Sequence, residues 1–187
     1  MLLNELISYA NQCLSGEIPS GKKHKWACMR LLSDVKRMEA GDETFPYTWS
    51  EAEAEKIVKW FSYLRHSKGV LAKRPILLTV WQKFVLCQIY GWRQKDSEFK
   101  RFRQSFIEVG RKNAKSQMIG GVILYEMSTQ SLKNGEIYEC YTAGTKRDQS
   151  KIIYEECANL LRGSPLAAKF RITKDRIIHK KTGSFLK

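Results

Sequence analysis

The 187-residue sequence is poor in acidic residues, in proline and in long apolar runs. It has 19 Asp and Glu against 33 Lys and Arg, giving a formal net charge of +14. This imbalance favours polyanionic partners such as nucleic acid and says nothing about fold. No stretch approaches the ~18 apolar residues of a membrane span, and the first residues, MLLNELISYANQ, lack the basic start of a signal peptide. We therefore expect a globular cytoplasmic chain without a transmembrane segment.

The basic residues are concentrated in two segments. Residues 21–37 contain six Lys or Arg and a single acid, Asp34, and residues 169–187 contain only Asp175 as an acid. Such segments occur on nucleic-acid-binding surfaces and also as ordinary solvated faces. Both interpretations stay open for each segment.

The cysteines do not form a recognisable metal-binding pattern. There are five, Cys13, Cys28, Cys87, Cys140 and Cys157, with no CxxC pair and only one nearby histidine, His24. An odd number without regular spacing indicates reduced thiols that serve as small core residues. We predict no metal cage.

The first half of the chain has helical periodicity. Helices are predicted over residues 2–14, 26–38, 50–66 and 79–91, with breaks at 15–21 and at Gly41. Ser50 with Glu53 has the pattern of a capping box, and Thr79 resembles an N-cap. The predicted buried positions are Cys28, Leu31, Leu32, Val35 and Met38 in the second helix and Ala54, Ile57, Val58, Phe61 and Leu64 in the third.

The second half alternates between strand and helix patterns. We predict a strand at FRQSFIEV (102–109), a helix from residue 115, a strand at EIYECYTA (136–143), and short tail strands joined by a turn at 173–175. The helix after the second strand would be capped by Thr145 with Asp148 and bury Ile152, Ile153, Cys157, Leu160 and Leu161. Alternation of this kind predicts an α/β fold with a parallel sheet.

The loop between the first strand and its helix, VGRKNAKS (109–116), has the composition of a phosphate-binding loop. Such a loop needs small residues, a helix N-terminus, a lysine for phosphate and a hydroxyl for Mg²⁺. Gly110, Ala114, Lys115 and Ser116 match these requirements, although Gly110 lies one residue too close to Lys115. Alanine at 114 is tolerable only if this position avoids positive φ. A basic exposed turn is the alternative interpretation.

The segment GRKNAKS resembles the deviant Walker A loop of the large terminase subunits of tailed double-stranded-DNA phages, whose usual form is close to GRKNGKS. Further blocks resemble the same family in the same order over roughly residues 20–187. They are GKKHKWACMRLLSDVKR, RHSKG, LLTVWQKFVLCQIYGWR, FRQSFIEVGRKNAKS, NGEIYECYTAGTKRDQS and RGSP.

The resemblance implies ATP and Mg²⁺ as ligands. Lys115 would bind the β and γ phosphates, Ser116 would ligate Mg²⁺, Arg111 would stabilise the transferring γ-phosphate, and Gln82 would recognise adenine. The remaining expected nucleotide contacts are Gly110, Lys112, Asn113, Ala114 and Gln117. Gln82 has an alternative as a plain polar helix residue, and Trp81 and Trp92 are predicted to pack in the core. Lys146, Arg147 and Gln149 are candidates for coupling or DNA contact.

The sequence departs from the family pattern after residue 163. The family requires an acidic Walker B pair and a C-terminal nuclease domain, whereas Asp175 is the one acid after Arg162. We therefore expect an incomplete P-loop NTPase core, with an N-terminal helical region at 1–70 and the front half of the ATPase core at 71–187. Turnover by this fragment alone should be negligible unless another chain completes the site.

The parent protein would be the ATPase and nuclease of a viral DNA-packaging motor. Its implied partners are double-stranded DNA, the portal protein, the small terminase subunit and further copies of itself, in the cytoplasm of an infected or lysogenic bacterium. Two alternatives remain: a basic nucleic-acid-binding module that uses no nucleotide, and an unrelated P-loop kinase or helicase.

Overall fold

A computed structural model describes the backbone of residues 1–145 and 147–187 and leaves the side chains of residues 147–150 undescribed. The chain divides into two units, each built from two stretches of sequence. Unit 1 comprises Met1–Val58 and Leu78–Phe106, and unit 2 comprises Lys59–Leu77 and Ile107–Lys187. Because both units are discontinuous, they do not test the predicted division at residue 70, which stays a prediction.

Unit 1 is mainly helical. Its elements are α1 (Leu2–Ser15), α2 (Lys22–Glu39), β1 (Tyr47–Trp49), the first part of α3 (Glu51–Tyr63), α4 (Val80–Gly91) and β2 (Trp92–Gln94). Helix α1 packs on α2 and α4. All four helices predicted in the first half of the chain are present. Helices α1, α2 and α3 each have one apolar face, whereas α4 is buried on most sides.

The core of unit 1 is formed by these stripes. Cys28, Leu31 and Val35 of α2 are buried, and Leu32 and Met38 are partly buried against them. The antiparallel pair β1 and β2 borders this core, with Trp49 opposite Trp92. Gly91 is required here, because an added Cβ would lie 2.7 Å from the Trp49 ring. Strands of three residues are too short for a periodicity argument, and the sequence analysis missed both.

Two ion pairs with little exposure to solvent also hold unit 1. Glu53 lies 2.8 Å from the Arg93 guanidinium, and Asp34 lies 2.6 Å from Arg101.

The capping box predicted at α3 from Ser50 and Glu53 is only half formed. Ser50 Oγ accepts the Glu53 N–H at 3.3 Å, whereas the Ser50 N–H donates to the Gly91 carbonyl. The Glu53 carboxylate binds Arg93 and Lys56.

Unit 2 combines helices with a small sheet. The helices are α5 (Lys115–Tyr125), continued by a π-helical turn (Glu126–Gln130) and α6 (Ser131–Asn134), and then α7 (Arg147–Leu161). The strands are β3 (Glu139–Cys140), β4 (Phe170–Ile172), β5 (Ile177–His179) and β6 (Phe185–Leu186). Helices α5 and α7 pack on each other. A 3₁₀ turn at Ala167–Lys169 precedes β4.

The α/β class is confirmed, and the sheet is mixed. Its strand order is β3-β6-β5-β4, in which β3 and β6 are parallel and the other two pairs are antiparallel. The predicted tail strands are present as β4 and β5. Their turn is closed by the Thr173 N–H, which donates to the Arg176 carbonyl at 2.9 Å.

Two local predictions are wrong, and a third falls outside the described residues. Residues 102–109 form no strand in the described part of the chain, because no described strand pairs with them and a strand requires ladder hydrogen bonds. Ile152 was predicted to be buried and is 53% exposed, whereas Cys157, Leu160 and Leu161 are buried. The Asp148 side chain, and with it the predicted α7 cap, lies outside the described residues.

Among the described residues, no helix combines the length and the apolar character needed to cross a membrane.

Candidate phosphate-binding site

Helix α5 begins where the sequence placed the candidate loop. Ala114 is its N-cap and forms no side-chain cap, and the Met118 N–H donates to the Ala114 carbonyl at 2.9 Å. Lys115, Ser116 and Gln117 therefore occupy the first turn, whose N–H groups have no acceptor within the helix. Together with the helix dipole, these groups make the start of α5 suitable for an anion.

The backbone at Ala114 overturns one condition set by the sequence analysis. Alanine was expected to be tolerable only without positive φ, yet Ala114 has φ 53° and ψ 24°. This is the left-handed region, which costs a residue with a Cβ roughly 1–2 kcal/mol. The same position is glycine in the family form, so the geometry explains why glycine is usual there. Lys112 is also left-handed, with φ 69°.

The loop is braced by its own asparagine. Asn113 Nδ2 donates to the carbonyl oxygens of Gly110 at 3.2 Å and of Arg111 at 3.3 Å. Gly110 has no positive φ, and an added Cβ would meet only Asn113 Nδ2 at 3.4 Å. The fold thus requires no glycine at 110, and the need for a small residue there would come from an approaching ligand.

The site is electropositive. Arg111, Lys112 and Lys115 are exposed, and Ser116 and Gln117 are half-buried at the start of the helix. Within residues 1–145 and 151–187, no acidic side chain pairs with any of these three cations. Three side-chain cations and the helix N-terminus therefore act on the same short loop without local neutralisation.

Two adjacent glycines allow α5 to pack closely against its neighbours in unit 2. An added Cβ at Gly121 would lie 2.3 Å from Phe61, and one at Gly120 would lie 3.2 Å from Leu160. Trp60 Nε1 donates to the Gly121 carbonyl at 3.0 Å, and the Cys157 thiol donates to the Gly120 carbonyl at 3.6 Å. The Gly-Gly pair inside an apolar helix was the signal for this close packing, and the sequence analysis did not use it.

The far end of the same helical segment is fixed by a buried hydroxyl cluster that the sequence analysis also missed. The Thr182 hydroxyl donates to the Met127 carbonyl of the π-helical turn at 3.2 Å and contacts His179 Nδ1 at 2.9 Å. Ser131 and Ser184 share a hydrogen bond of 2.7 Å. Burial and the charges of Lys169 and Lys181 lower the pKa of His179. Spacing gives no hint of the contacts of Thr182 with Met127 and of Ser131 with Ser184, because each joins residues more than fifty positions apart.

Gln82, the predicted adenine contact, lies in unit 1 as the third residue of α4. It is 8% exposed, and its Oε1 accepts the Thr79 N–H at 3.0 Å. The Thr79 side chain accepts the Gln82 N–H in return, which completes a capping box. The predicted N-cap at Thr79 is confirmed, and the role of Gln82 toward adenine stays a prediction.

The two tryptophans near this helix pack as expected. Trp92 is fully buried in the unit 1 core, and Trp81 is partly buried against it. Of the other candidates, Lys146 and the side chains of Arg147 and Gln149 lie outside the described residues.

An α/β chain in which a lysine-serine pair, with the lysine exposed and the serine half-buried, begins a helix has the local architecture of a phosphate-loop protein. The family comparison narrows this class: the model described as "Terminase large subunit, ATPase domain" matches residues 80–184, just over half of the 187 residues. The chain therefore belongs to the large-terminase ATPase-domain family, which confirms the predicted relationship.

A solved structure agrees at the level of fold. The chain is similar to the large terminase of bacteriophage HK97, with a TM-score of 0.56 and 17% sequence identity over 72% of this chain. The similarity covers 26% of the HK97 protein, so the chain corresponds to about a quarter of that terminase. No curated protein matches the sequence.

Proposed function

We propose that residues 110–117 bind the phosphates of Mg²⁺–ATP. The observation that carries this proposal is the uncapped start of α5, at which Arg111, Lys112 and Lys115 are exposed without an acidic partner among the described residues. Lys115 would bind the β and γ phosphates as a point charge. The backbone N–H groups of the first turn would receive phosphate oxygens.

The residues present fit the two implied ligands. Ser116 follows Lys115 directly and offers a hydroxyl at the second helical position, as Mg²⁺ bound to nucleotide phosphates requires. Arg111 would stabilise charge on the γ-phosphate. Asn113 would hold the loop shape through its two carbonyl contacts, while Lys112 and Gln117 flank the phosphates.

We further propose that the parent protein is the ATPase, and the nuclease, of a motor that drives viral DNA into a procapsid. Membership of the family supports this proposal. Because the chain corresponds to about a quarter of the HK97 terminase, the proposal concerns the parent protein and not these 187 residues alone. Its partners would be double-stranded DNA, the portal protein, the small terminase subunit and other copies of itself. Its location would be the cytoplasm of the infected or lysogenic bacterium.

The 187 residues alone should bind nucleotide with negligible turnover. Hydrolysis of ATP needs a side chain that orients or activates the attacking water beside the γ-phosphate, and the family resemblance assigns this role to a glutamate. Asp175 is the one acid after Arg162, and it lies exposed in the turn between β4 and β5. Slow or absent hydrolysis would therefore not contradict phosphate binding, and binding is the quantity to measure.

The test is titration calorimetry with ATP and ADP in the presence of Mg²⁺. Lys115→Ala should abolish binding or weaken it at least about tenfold, because a desolvated charge-assisted phosphate contact contributes about 1.5–3 kcal/mol. Lys174→Ala removes an equal charge from the exposed β4–β5 turn and should leave binding unchanged. Equal affinity in wild type and Lys115→Ala, or no binding by the folded wild type, would contradict the proposal.

A second candidate function, direct contact with DNA, is favoured by the surface of α2. Asp34, the one acid among residues 21–37, is buried in its pair with Arg101, so the exposed part of this segment carries only positive charge. Trp26 is 53% exposed, and the Lys22 ammonium lies 5.2 Å from the centre of its ring. The exposed cations suit the phosphate backbone of a DNA duplex.

This contact is tested by fluorescence anisotropy with a DNA duplex over a range of salt concentrations. A double Lys22→Glu, Lys36→Glu variant should reduce both affinity and the salt slope, since fewer phosphates are neutralised. If DNA affinity is unchanged by Mg²⁺–ATP and by Lys115→Ala, the result would favour a basic nucleic-acid-binding module that uses no nucleotide. Salt-independent binding, or binding unaffected by the α2 variant, would exclude α2 as the contact.

A further inference from the structure

Two helices of unit 1 bring three metal-ligating side chains together. Cys13 lies near the end of α1, and His24 and Cys28 lie one turn apart on α2. The ligand atoms of these three residues all lie within 4.8 Å of one another. No metal cage was predicted from the sequence, because the five cysteines include no CxxC pair and only Cys28 has a histidine nearby. The fold brings Cys13 to this pair across the α1–α2 turn.

From this arrangement we propose that Cys13, His24 and Cys28 form a structural zinc site that ties α1 to α2. A tetrahedral zinc ion takes sulfur ligands at about 2.3 Å and nitrogen at about 2.0 Å, which places ligand atoms roughly 3.3–3.8 Å apart. The ligand atoms all lie within 4.8 Å of one another, so at most a small inward movement of the side chains would close the site. Histidine and cysteine at i and i+4 already share one face of α2.

The surroundings of the cluster fit a structural ion. Cys13 and Cys28 are fully buried, and His24 is half-buried. Two thiolates would neutralise the charge of Zn²⁺, and a neutral assembly is far less costly to bury than a net charge. Each thiol would release its proton to solvent as it binds. The triad contains no carboxylate, which favours zinc over calcium or magnesium.

Tyr9 adds an oxygen at the same place. Its hydroxyl lies 3.1 Å from His24 Nε2 and also hydrogen-bonds to Cys13. This hydroxyl, or a water molecule beside it, is available for the fourth position of the ion. Phe84 closes the apolar side, with its ring centre 5.1 Å from that of His24 and 5.2 Å from that of Tyr9.

The site would shorten the covalent path between the two helices. Helix α1 ends at Ser15, Gly16 is left-handed with φ 91°, and α2 starts at Lys22. An ion held by Cys13 on one side of this turn and by His24 and Cys28 on the other would fix the helical hairpin. The phosphate loop belongs to unit 2 and the three ligands belong to unit 1, so the zinc proposal rests on residues other than those of the proposed nucleotide site.

The test uses cobalt(II) as a spectroscopic probe on the full chain, reduced with a phosphine and freed of metal by chelator. The wild type should bind cobalt in a one-to-one ratio with the charge-transfer absorption of a thiolate ligand, and zinc should displace it. The absence of this absorption from the folded wild type would overturn the proposal.

Variants identify the ligands. Cys28→Ser should remove the charge-transfer absorption or weaken metal binding about tenfold or more, because even the loss of a residue that hydrogen-bonds to a ligand weakens metal binding on this scale. Cys87→Ser is the matched control, because Cys87 is another fully buried thiol of unit 1 that lies outside the triad. If Cys28→Ser fails to fold, His24→Gln at a half-buried position serves the same purpose. Unchanged cobalt binding in His24→Gln would contradict the proposed site.

Discussion

The N-termini of α4 and α5 differ in whether side chains of the protein satisfy the first N–H groups of the helix. Each helix begins with N–H groups that lack partners within the helix. At α4, the exposed Thr79 and the buried Gln82 satisfy these groups reciprocally. At α5, Ala114 offers no side-chain acceptor, and exposed cations surround the first turn.

This difference separates a structural terminus from one suited to a ligand. A capping box satisfies its donors permanently and leaves little for an incoming anion. Helix α5 keeps its donors available and places Lys115 and Ser116 directly beside them. Composition alone does not separate the two termini, because both have a polar residue in the first turn.

The largest expected effect on stability comes from disrupting the packing of α5 without changing α4. Gly121→Ala would place a Cβ 2.3 Å from the buried Phe61 ring. We expect a loss of about 1–3 kcal/mol in the free energy of unfolding, measured in urea, because the packed ring has little room to move. Gly21→Ala is the control, since no atom lies within 4 Å of its added Cβ. Equal stability of the two variants would show that α5 is not held this closely.

Gln82 can be tested for its two roles separately. Gln82→Ala removes the acceptor of the Thr79 N–H and should lower the free energy of unfolding by about 1 kcal/mol. Gln82→Glu keeps an acceptor at the same place but loses the amide donor. If Gln82 recognises adenine, Gln82→Glu should weaken ATP binding and leave inorganic triphosphate binding unchanged. Equal weakening of both ligands would argue against adenine recognition.

Ala114→Gly should bring the α5 terminus closer to the family form. Glycine relieves the left-handed backbone at φ 53°, although the more flexible unfolded chain offsets part of the gain. We expect the free energy of unfolding to rise by up to about 1 kcal/mol, with tighter Mg²⁺–ADP binding. Ala40→Gly, at φ −73°, has no such strain to relieve. A loss of stability in Ala114→Gly would show that the loop adopts another backbone.

The smallest effect concerns the far end of the α5 segment. Burial and two lysines lower the folded-state pKa of His179 below its ordinary value of 6.5. Near this pKa the folded state binds fewer protons than the unfolded state. The contribution of neutral His179 to the free energy of unfolding is therefore complete above about pH 6.5. It is lost as the pH falls toward the folded-state pKa, by at most about 1.4 kcal/mol per pH unit. Urea unfolding at several pH values should show a shallower slope below pH 6.5 in His179→Gln. An unchanged slope would exclude His179 as the source.

Much of the fold followed from local pattern. Helical spacing predicted α1, α2, α3, α5 and α7 within a few residues, because an apolar face must recur every 3.6 residues to be buried. The length of the apolar run predicted α4. The order of motifs around GRKNAKS predicted the terminase family, and the start of α5 at Lys115 followed from the same stretch. The nucleotide contacts themselves remain predictions from that resemblance.

Other features could not be read from the sequence. Residues 102–109 have the composition of a strand, yet whether they form one depends on a partner elsewhere in the chain. The buried pairs Glu53 with Arg93 and Asp34 with Arg101 join residues 40 and 67 positions apart. Charge and hydropathy patterns carry no information about such distant partners.

The sequence by itself determined the helices, the basic charge, the α/β class and the family, since these depend on spacing and composition along the chain. The tertiary structure decided the left-handed backbone of Ala114, the seating of α5 on Phe61 and the meeting of Cys13 with His24 and Cys28. These depend on which surfaces pack together. Packing joins residues by distance in space, and a linear pattern records only their distance along the chain.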